Sequence, residues 1–167
     1  MSEQLLRAIE RAIRDTPLHD FVIQTGWLWP FLESAHFIGM SMLIGTIGMF
    51  DLRLLGFAKR VPIAALHRLI PIGVAGFLLN AATGALFISG YPDQYIFNSA
   101  FRVKVVFIAL AGLNVSFFYS SVFRGLHHLG PGEQAPLPAR IAGGISLAAW
   151  IGVMTAGRLL TFFRPPF

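Results

Sequence analysis

The 167-residue sequence contains no cysteine, and this absence removes several classes of function at once. Disulfide bonds, zinc–thiolate sites, iron–sulfur clusters and cysteine nucleophiles all require thiols. The sequence also lacks a nucleotide-binding glycine loop, a metal-ligand motif and a nucleophile–base pair at a recognisable spacing. An enzyme is therefore the class of protein that the sequence supports least.

Charged residues are scarce as well. They make up 13% of the chain, against about 25% in a typical soluble domain. Hydrophobic residues make up 55%, which is more apolar surface than one small soluble domain can bury. The composition therefore predicts a protein embedded in the lipid bilayer. The net charge of +5 is typical of basic loops beside anionic lipid, and we expect no nucleic-acid partner.

Four apolar stretches are each long enough to cross a hydrocarbon core of roughly 30 Å. Short connections between them place consecutive helices antiparallel. We therefore predict an all-α, up-down-up-down bundle of four membrane helices that occupies residues 21–167. The predicted spans are residues 27–50, 70–89, 103–123 and 141–162.

The first 20 residues do not have the apolar core of a signal peptide. Their apolar side chains recur at helical spacing, which predicts a short amphipathic helix over residues 1–20 on the membrane surface. The loops at residues 51–69 and 124–140 hold six Lys and Arg residues between them. The distribution of basic residues therefore favours an orientation with these two loops in the cytoplasm and both termini outside it. We call the end that carries both termini the outer end, and the opposite end the inner end.

Small residues recur every four positions in the fourth span, at Gly144, Ala148, Gly152 and Ala156. Ser41 and Gly45 have the same spacing in the first span. Small residues let helix backbones approach closely in lipid. We expect them to pack helices within the bundle, with a homo-oligomer interface as the alternative.

Polar residues interrupt each apolar stretch. An ionisable group in the middle of a membrane costs about 2.5–3.5 kcal/mol on insertion scales, so such groups are expected to face the interior and to pair. Four of them fall in the outer half of the predicted bundle, namely Glu33, His36, Lys104 and Arg158. Thr83 lies in the outer half of its span, and Asn80 and Asn114 lie near the middle of theirs.

His36 lies too deep to reach water, which is typical of a haem ligand, a metal ligand or a proton carrier. We predict that it binds the iron of haem b between facing helices, for electron transfer to a redox partner. Lys104 and Arg158 would neutralise the propionates, and Phe31, Phe37, Phe117 and Trp150 are available to the macrocycle. Met154 is a candidate second ligand, and a five-coordinate haem is the alternative.

Two other interpretations remain open. A small oligomeric transporter or channel would use Glu33, His36, Lys104 and Arg158 for an anion, a metal ion or a proton, with Asn80, Thr83 and Asn114 along the path. A structural subunit would instead pair Glu33 with Lys104 or Arg158 only to fix helix register.

A second site is conceivable at the inner end, where His67, His127 and His128 converge in the predicted topology. The alternative is that they are solvated histidines at the lipid interface. Asp51 and Arg53 close the first span, and we interpret them as interfacial anchors.

The string WPFLESAHFIGMSMLIGTIGMFDLRLLG, with IPIGVAGFLLNAATGALF, FNSAFRVKVVFIALAGLN and SLAAWIGVMTAGRLL, resembles a bacterial family of four-helix inner-membrane proteins of unknown function. The resemblance covers nearly the whole chain and implies a four-helix fold, with no activity to transfer. The chain is more distantly similar to small membrane cytochromes of the b561 type and to the copper-resistance D membrane domain, in helix number and in helix-embedded histidines.

Overall fold

The structure is a computed structural model that describes residues 3–126 and 129–163. Within these ranges it contains α-helices, one π-helical turn, one 3-10 turn and no strand. Four helical segments are long and apolar enough to cross a membrane, and they cover Leu28–Leu55, Ile63–Gly90, Ser99–Leu126 and Leu137–Leu159. The prediction of an all-α bundle of four membrane helices is confirmed.

The helices are α1 (Glu3–Arg14), α2 (Pro17–Gln24), α3 (Leu28–Leu55), α4 (Ile63–His67), α5 (Ile70–Gly90), α6 (Pro92–Ile96), α7 (Ser99–Phe117) and α8 (Leu137–Leu159). The last turns of the third span continue α7 as a π-helical turn, Phe118–Val122, and a 3-10 turn, Phe123–Leu126. The spans are α3, α4 with α5, α7 with its two turns, and α8.

The amphipathic segment forms two helices, because Pro17 occupies the first turn of α2 and Thr16 accepts a hydrogen bond from the backbone of His19. In α1 the side chain of Leu6 is buried, while Leu5 and Ile9 are exposed. An ion pair of 3.1 Å between Arg14 and Asp93 joins α1 to α6.

The first span continues five residues beyond its predicted end at Phe50. It ends at Gly56, whose φ of 104° is left-handed, and the amides of Gly56 and Phe57 return to the carbonyl groups of Arg53 and Leu52. The Arg53 side chain is 1% exposed and donates to Val61 O at 2.8 Å and to Glu133 O at 3.2 Å. The buried Arg53 side chain therefore links two loops by hydrogen bonds. The interpretation of Arg53 as an interfacial anchor was wrong.

Helices α3 and α8 pack against each other, with α5 on the other side of α3 and α7 on the other side of α8. In the described residues α5 and α7 hardly touch. The interior of the bundle is therefore less closed on the side where these two outer helices face each other. This arrangement determines where a ligand has access to the interior.

Glycines bring α3 and α5 into close contact. A β-carbon added to Gly76 would lie 2.6 Å from the carbonyl oxygen of Gly39, and one added to Gly39 would lie 2.9 Å from that of Gly76. A side chain at either position would collide with backbone. Both helices therefore depend on glycine here, which brings polar side chains of α5 within reach of α3.

The packing face of α8 differs by about one residue position from the predicted stripe of small residues. Its buried members include Ala142, Gly143, Ser146, Ala149 and Ala156. Of the predicted stripe, Ala156 is buried and Gly152 packs under the ring of Phe107, whereas Ala148 is exposed. Ser41 and Gly45 of α3 are exposed too, so they do not pack against another helix in the described ranges.

The glycine contact predicts that Gly76→Ala destabilises the bundle. The added methyl group meets the backbone of Gly39 and Leu43 at 2.6 and 2.9 Å, and overpacking of this kind costs about 1–3 kcal/mol. Thermal unfolding of the purified protein in detergent measures the effect. Gly84→Ala in the same helix is the control, since nothing lies within 4 Å of its added β-carbon. Equal melting temperatures for the two variants would contradict the prediction.

Candidate functional site

His36 and Thr83 join α3 to α5 by a side-chain hydrogen bond in the outer half of the bundle. The distance from His36 Nδ1 to Thr83 Oγ1 is 2.7 Å. Thr83 is 4% exposed, and the ring of Phe87 lies against the imidazole with a centroid distance of 5.5 Å. The close approach of α3 and α5 at Gly39 and Gly76 places these groups within bonding distance.

The bonds of Thr83 favour one tautomer of His36. The Thr83 hydroxyl is placed to donate to the carbonyl oxygen of Leu79 at 2.8 Å, which favours the tautomer in which His36 Nδ1–H donates to the Thr83 oxygen. The lone pair of the imidazole is then on Nε2. No bond to Nε2 is recorded in the described residues, so this lone pair is available to a ligand.

Lys104 approaches the same region from α7. Its Nζ atom lies 3.8 Å from the position of a β-carbon on Gly157 in α8. Its charge acts on His36, and the side chain is partly buried. Among the described residues no carboxylate lies within ion-pair distance of Lys104. We call His36, Thr83 and Lys104 the outer polar site.

Glu33 and Arg158 do not join the outer polar site. Both residues are exposed, and Glu33 accepts a hydrogen bond from Trp29 Nε1 of its own helix at 3.2 Å. In the described part of the chain neither forms an ion pair with the other or with Lys104. The predicted pairing of Glu33 was therefore wrong. Helical periodicity places Glu33 and His36 on neighbouring positions, but it does not determine which of them faces the interior.

The other predicted residues of α5, α7 and α8 are dispersed. Asn80 donates to Gly76 O at 3.1 Å, and its Oδ1 atom is buried without a partner in the described residues. Trp150 and Met154 are half-buried on α8, and Trp150 packs edge-on against Phe77 of α5. Asn114 donates to Ala142 O at 3.0 Å, which joins α7 to α8.

Of the three histidines of the predicted inner site, the structure describes His67 alone. The ring of His67 stacks on Phe123 with a centroid distance of 4.4 Å, and its Nε2 atom lies 3.1 Å from the hydroxyl of Tyr119. His127 and His128 lie outside the described residues. No group of three or more histidine, aspartate or glutamate side chains suited to a metal ion occurs in the residues that the structure describes.

A cavity of about 120 Å³ in the inner half was not predicted from the sequence. We call it the inner cavity. Residues from α3, α5, α7 and α8 and from the π-helical turn line it, and most of them are apolar. Its polar lining consists of Asp51, Asn114, Ser146 and Tyr119.

Asp51 is 4% exposed, which excludes the interfacial role predicted for it. The Ser146 side chain lies near its carboxyl group, and its Oδ2 atom has no partner in the described residues. No ion pair with Arg53 forms, although the two residues are close in sequence. In the sequence, Asp51 is recognisable as an acidic residue within an apolar run. Because a basic residue lies nearby, the two were interpreted together as interfacial anchors.

Among the described residues, the bundle thus holds an imidazole and a cation without a carboxylate partner near its outer end, and a carboxyl group without a cationic partner near its inner end. Fifteen residues of α3 separate His36 from Asp51, a rise of about 22 Å. The two sites are therefore chemically separate. In comparisons with known proteins, no family model, curated protein or solved structure matches the chain.

Proposed function

We propose that the protein binds haem b at the outer polar site, with His36 Nε2 as the iron ligand, and carries electrons in the membrane. The observation that carries the proposal is the bond from His36 Nδ1 to Thr83 Oγ1. Histidines that bind metals almost always donate their other ring N–H to an acceptor, which orients the ring and fixes the tautomer. His36 is held in this way, and no described residue is hydrogen-bonded to its Nε2 atom.

Lys104 is the second support for the proposal. An ammonium group in the bundle without an anionic partner is costly, because hydrocarbon does not solvate its charge. A haem propionate supplies the missing negative charge beside the iron ligand. Arg158 has no part in the proposal because its side chain is exposed.

The described residues offer a haem one axial histidine. Of the other described histidines, His19 in α2 contacts Ser89 O at 2.8 Å, and His67 lies in α4 at the inner end. Neither lies at the depth of His36. When bound, the haem supplies one-electron chemistry, while His36 holds the iron, Thr83 orients His36 and Lys104 balances charge.

The proposal predicts a Soret absorption band in the purified wild-type protein from haem-sufficient cells. His36→Ala removes the axial nitrogen and is expected to abolish the band. His67→Ala is the matched control, because this histidine lies at the opposite end, and it should leave the band intact. Lys104→Met keeps the ligand and is expected to weaken haem binding roughly tenfold through the loss of one ion pair.

A colourless wild-type protein from such cells, with no haem taken up on reconstitution, would overturn this function. So would a band of unchanged intensity in His36→Ala. A band lost equally in His67→Ala would show that the inner end, and not the outer polar site, holds the haem.

A second candidate function is the passage of a small anion, and the unpaired Lys104 favours it. Its Nζ atom reaches Gly157 between α7 and α8, where it offers one positive charge inside the bundle. Four helices are few for alternating access, so this function requires an oligomer.

Anion passage predicts chloride flux into liposomes that contain the protein. Lys104→Met should abolish the flux by removing the charge, whereas Arg158→Met, which removes an exposed cation at the same end, should preserve it. Flux no faster than in empty liposomes would eliminate the candidate, and so would equal losses in both variants.

A further inference from the structure

The inner cavity combines two features that are unusual together in a packed membrane protein, namely apolar walls and a buried acidic group. Its walls are apolar, and its polar lining holds the carboxyl group of Asp51, which is 4% exposed and has an unpartnered Oδ2 atom. A buried carboxylate without a counter-charge is strongly unfavourable in low dielectric. The cavity therefore requires a compensating positive charge or a proton.

The hydrogen bonds around the cavity leave acceptors without donors. The Ser146 side chain lies near the Asp51 carboxyl group, and Asn114 donates its Nδ2 group to Ala142 O at 3.0 Å. Asp51 Oδ2 and the carbonyl oxygen of the Asn114 side chain accept no hydrogen bond from the described residues. A ligand that satisfies these atoms must therefore donate hydrogen bonds.

The entrance to the cavity lies on the lipid side of the bundle. Helices α5 and α7 hardly touch in the described residues, and the cavity lies between them. Val74 of α5 and Val115 of α7 line it and are 49% and 48% exposed. At the inner end, Phe50, Leu54 and Phe118 line the cavity and belong to the hydrophobic core that closes it. Access is therefore lateral, from the acyl chains.

We propose that the inner cavity binds a lipophilic primary ammonium ion that enters from the bilayer between α5 and α7. The ammonium group donates to Asp51 Oδ2 and to the side-chain oxygen of Asn114, and its charge pairs with the carboxylate. The apolar part of the ligand lies against Ile47, Val74 and Val115. The volume of about 120 Å³ is close to that of cavities that hold a benzene molecule, roughly 150 Å³. Most of the lining is apolar, which favours an organic amine over a bare metal cation.

Benzylammonium is the probe, and isothermal titration calorimetry on the full chain in nanodiscs measures its binding, with empty nanodiscs subtracted. Benzyl alcohol has the same shape without the charge. The wild-type protein is expected to bind benzylammonium at least roughly tenfold more tightly than benzyl alcohol, because a charge-assisted bond to a carboxylate is lost with the alcohol. Asp51→Asn should remove that difference.

A second pair of variants keeps the carboxyl group and tests the entrance. Val115→Trp fills the gap beside α5 and is expected to block benzylammonium. Val106→Trp changes a valine of the same helix that is 65% exposed and outside the cavity, and should leave binding unchanged.

Three outcomes would overturn the proposal. Equal affinities for benzylammonium and benzyl alcohol would mean that Asp51 carries a proton there. Competition by sodium chloride at constant ionic strength, dependent on Asp51, would indicate a small cation. Equal effects of both tryptophan variants, or an oligomer that dissociates in Val115→Trp alone, would indicate that a second copy of the chain covers the opening.

Discussion

The structure depends on one constraint, which is that a polar group in the bilayer core finds no water and must be satisfied by the protein or by a ligand. Most polar groups of the four spans satisfy it internally. Thr83 donates to Leu79 O and Asn114 donates to Ala142 O. Among the described residues the exceptions include Asn80 Oδ1 and Arg53 Nη1, which are buried without a partner, and two ionisable groups of the proposed sites. Lys104 has no anionic partner, and Asp51 has no cationic one, within the part of the chain that the structure describes.

These two exceptions lie in different halves of the bundle and differ in sign. The outer polar site offers a cation and a nitrogen lone pair, so it suits an anionic, metal-containing ligand. The inner cavity offers a carboxyl group and opens toward lipid, so it suits an amphiphile with a positive head group. The four spans therefore hold two chemically different groups of polar residues about 22 Å apart along α3.

Length and hydropathy were sufficient to predict the four spans, because the thickness of the bilayer leaves little freedom in helix length. They did not determine helix rotation, which decides whether a side chain faces lipid or the interior. Glu33 and Arg158 were expected inside and are exposed, while Asp51 and Arg53 were expected at the interface and are buried. The bond between His36 and Thr83 joins residues that are distant in sequence, and it depends on the contact of Gly39 with Gly76. No local pattern encodes such a contact.

The proposed haem site depends on the bond in which Thr83 holds the neutral His36 ring with its proton on Nδ1 and presents Nε2 to a ligand. Nitrogen NMR of the labelled, haem-free protein measures this directly, with the His36 signals assigned by their loss in His36→Ala. We expect a protonated Nδ1 and an unprotonated Nε2 in the wild-type protein, and a loss of this preference in Thr83→Val, which retains the shape of the side chain and removes the acceptor. A wild-type ring protonated on Nε2 with a bare Nδ1 would contradict the claim, because the atom offered to iron would then carry a hydrogen.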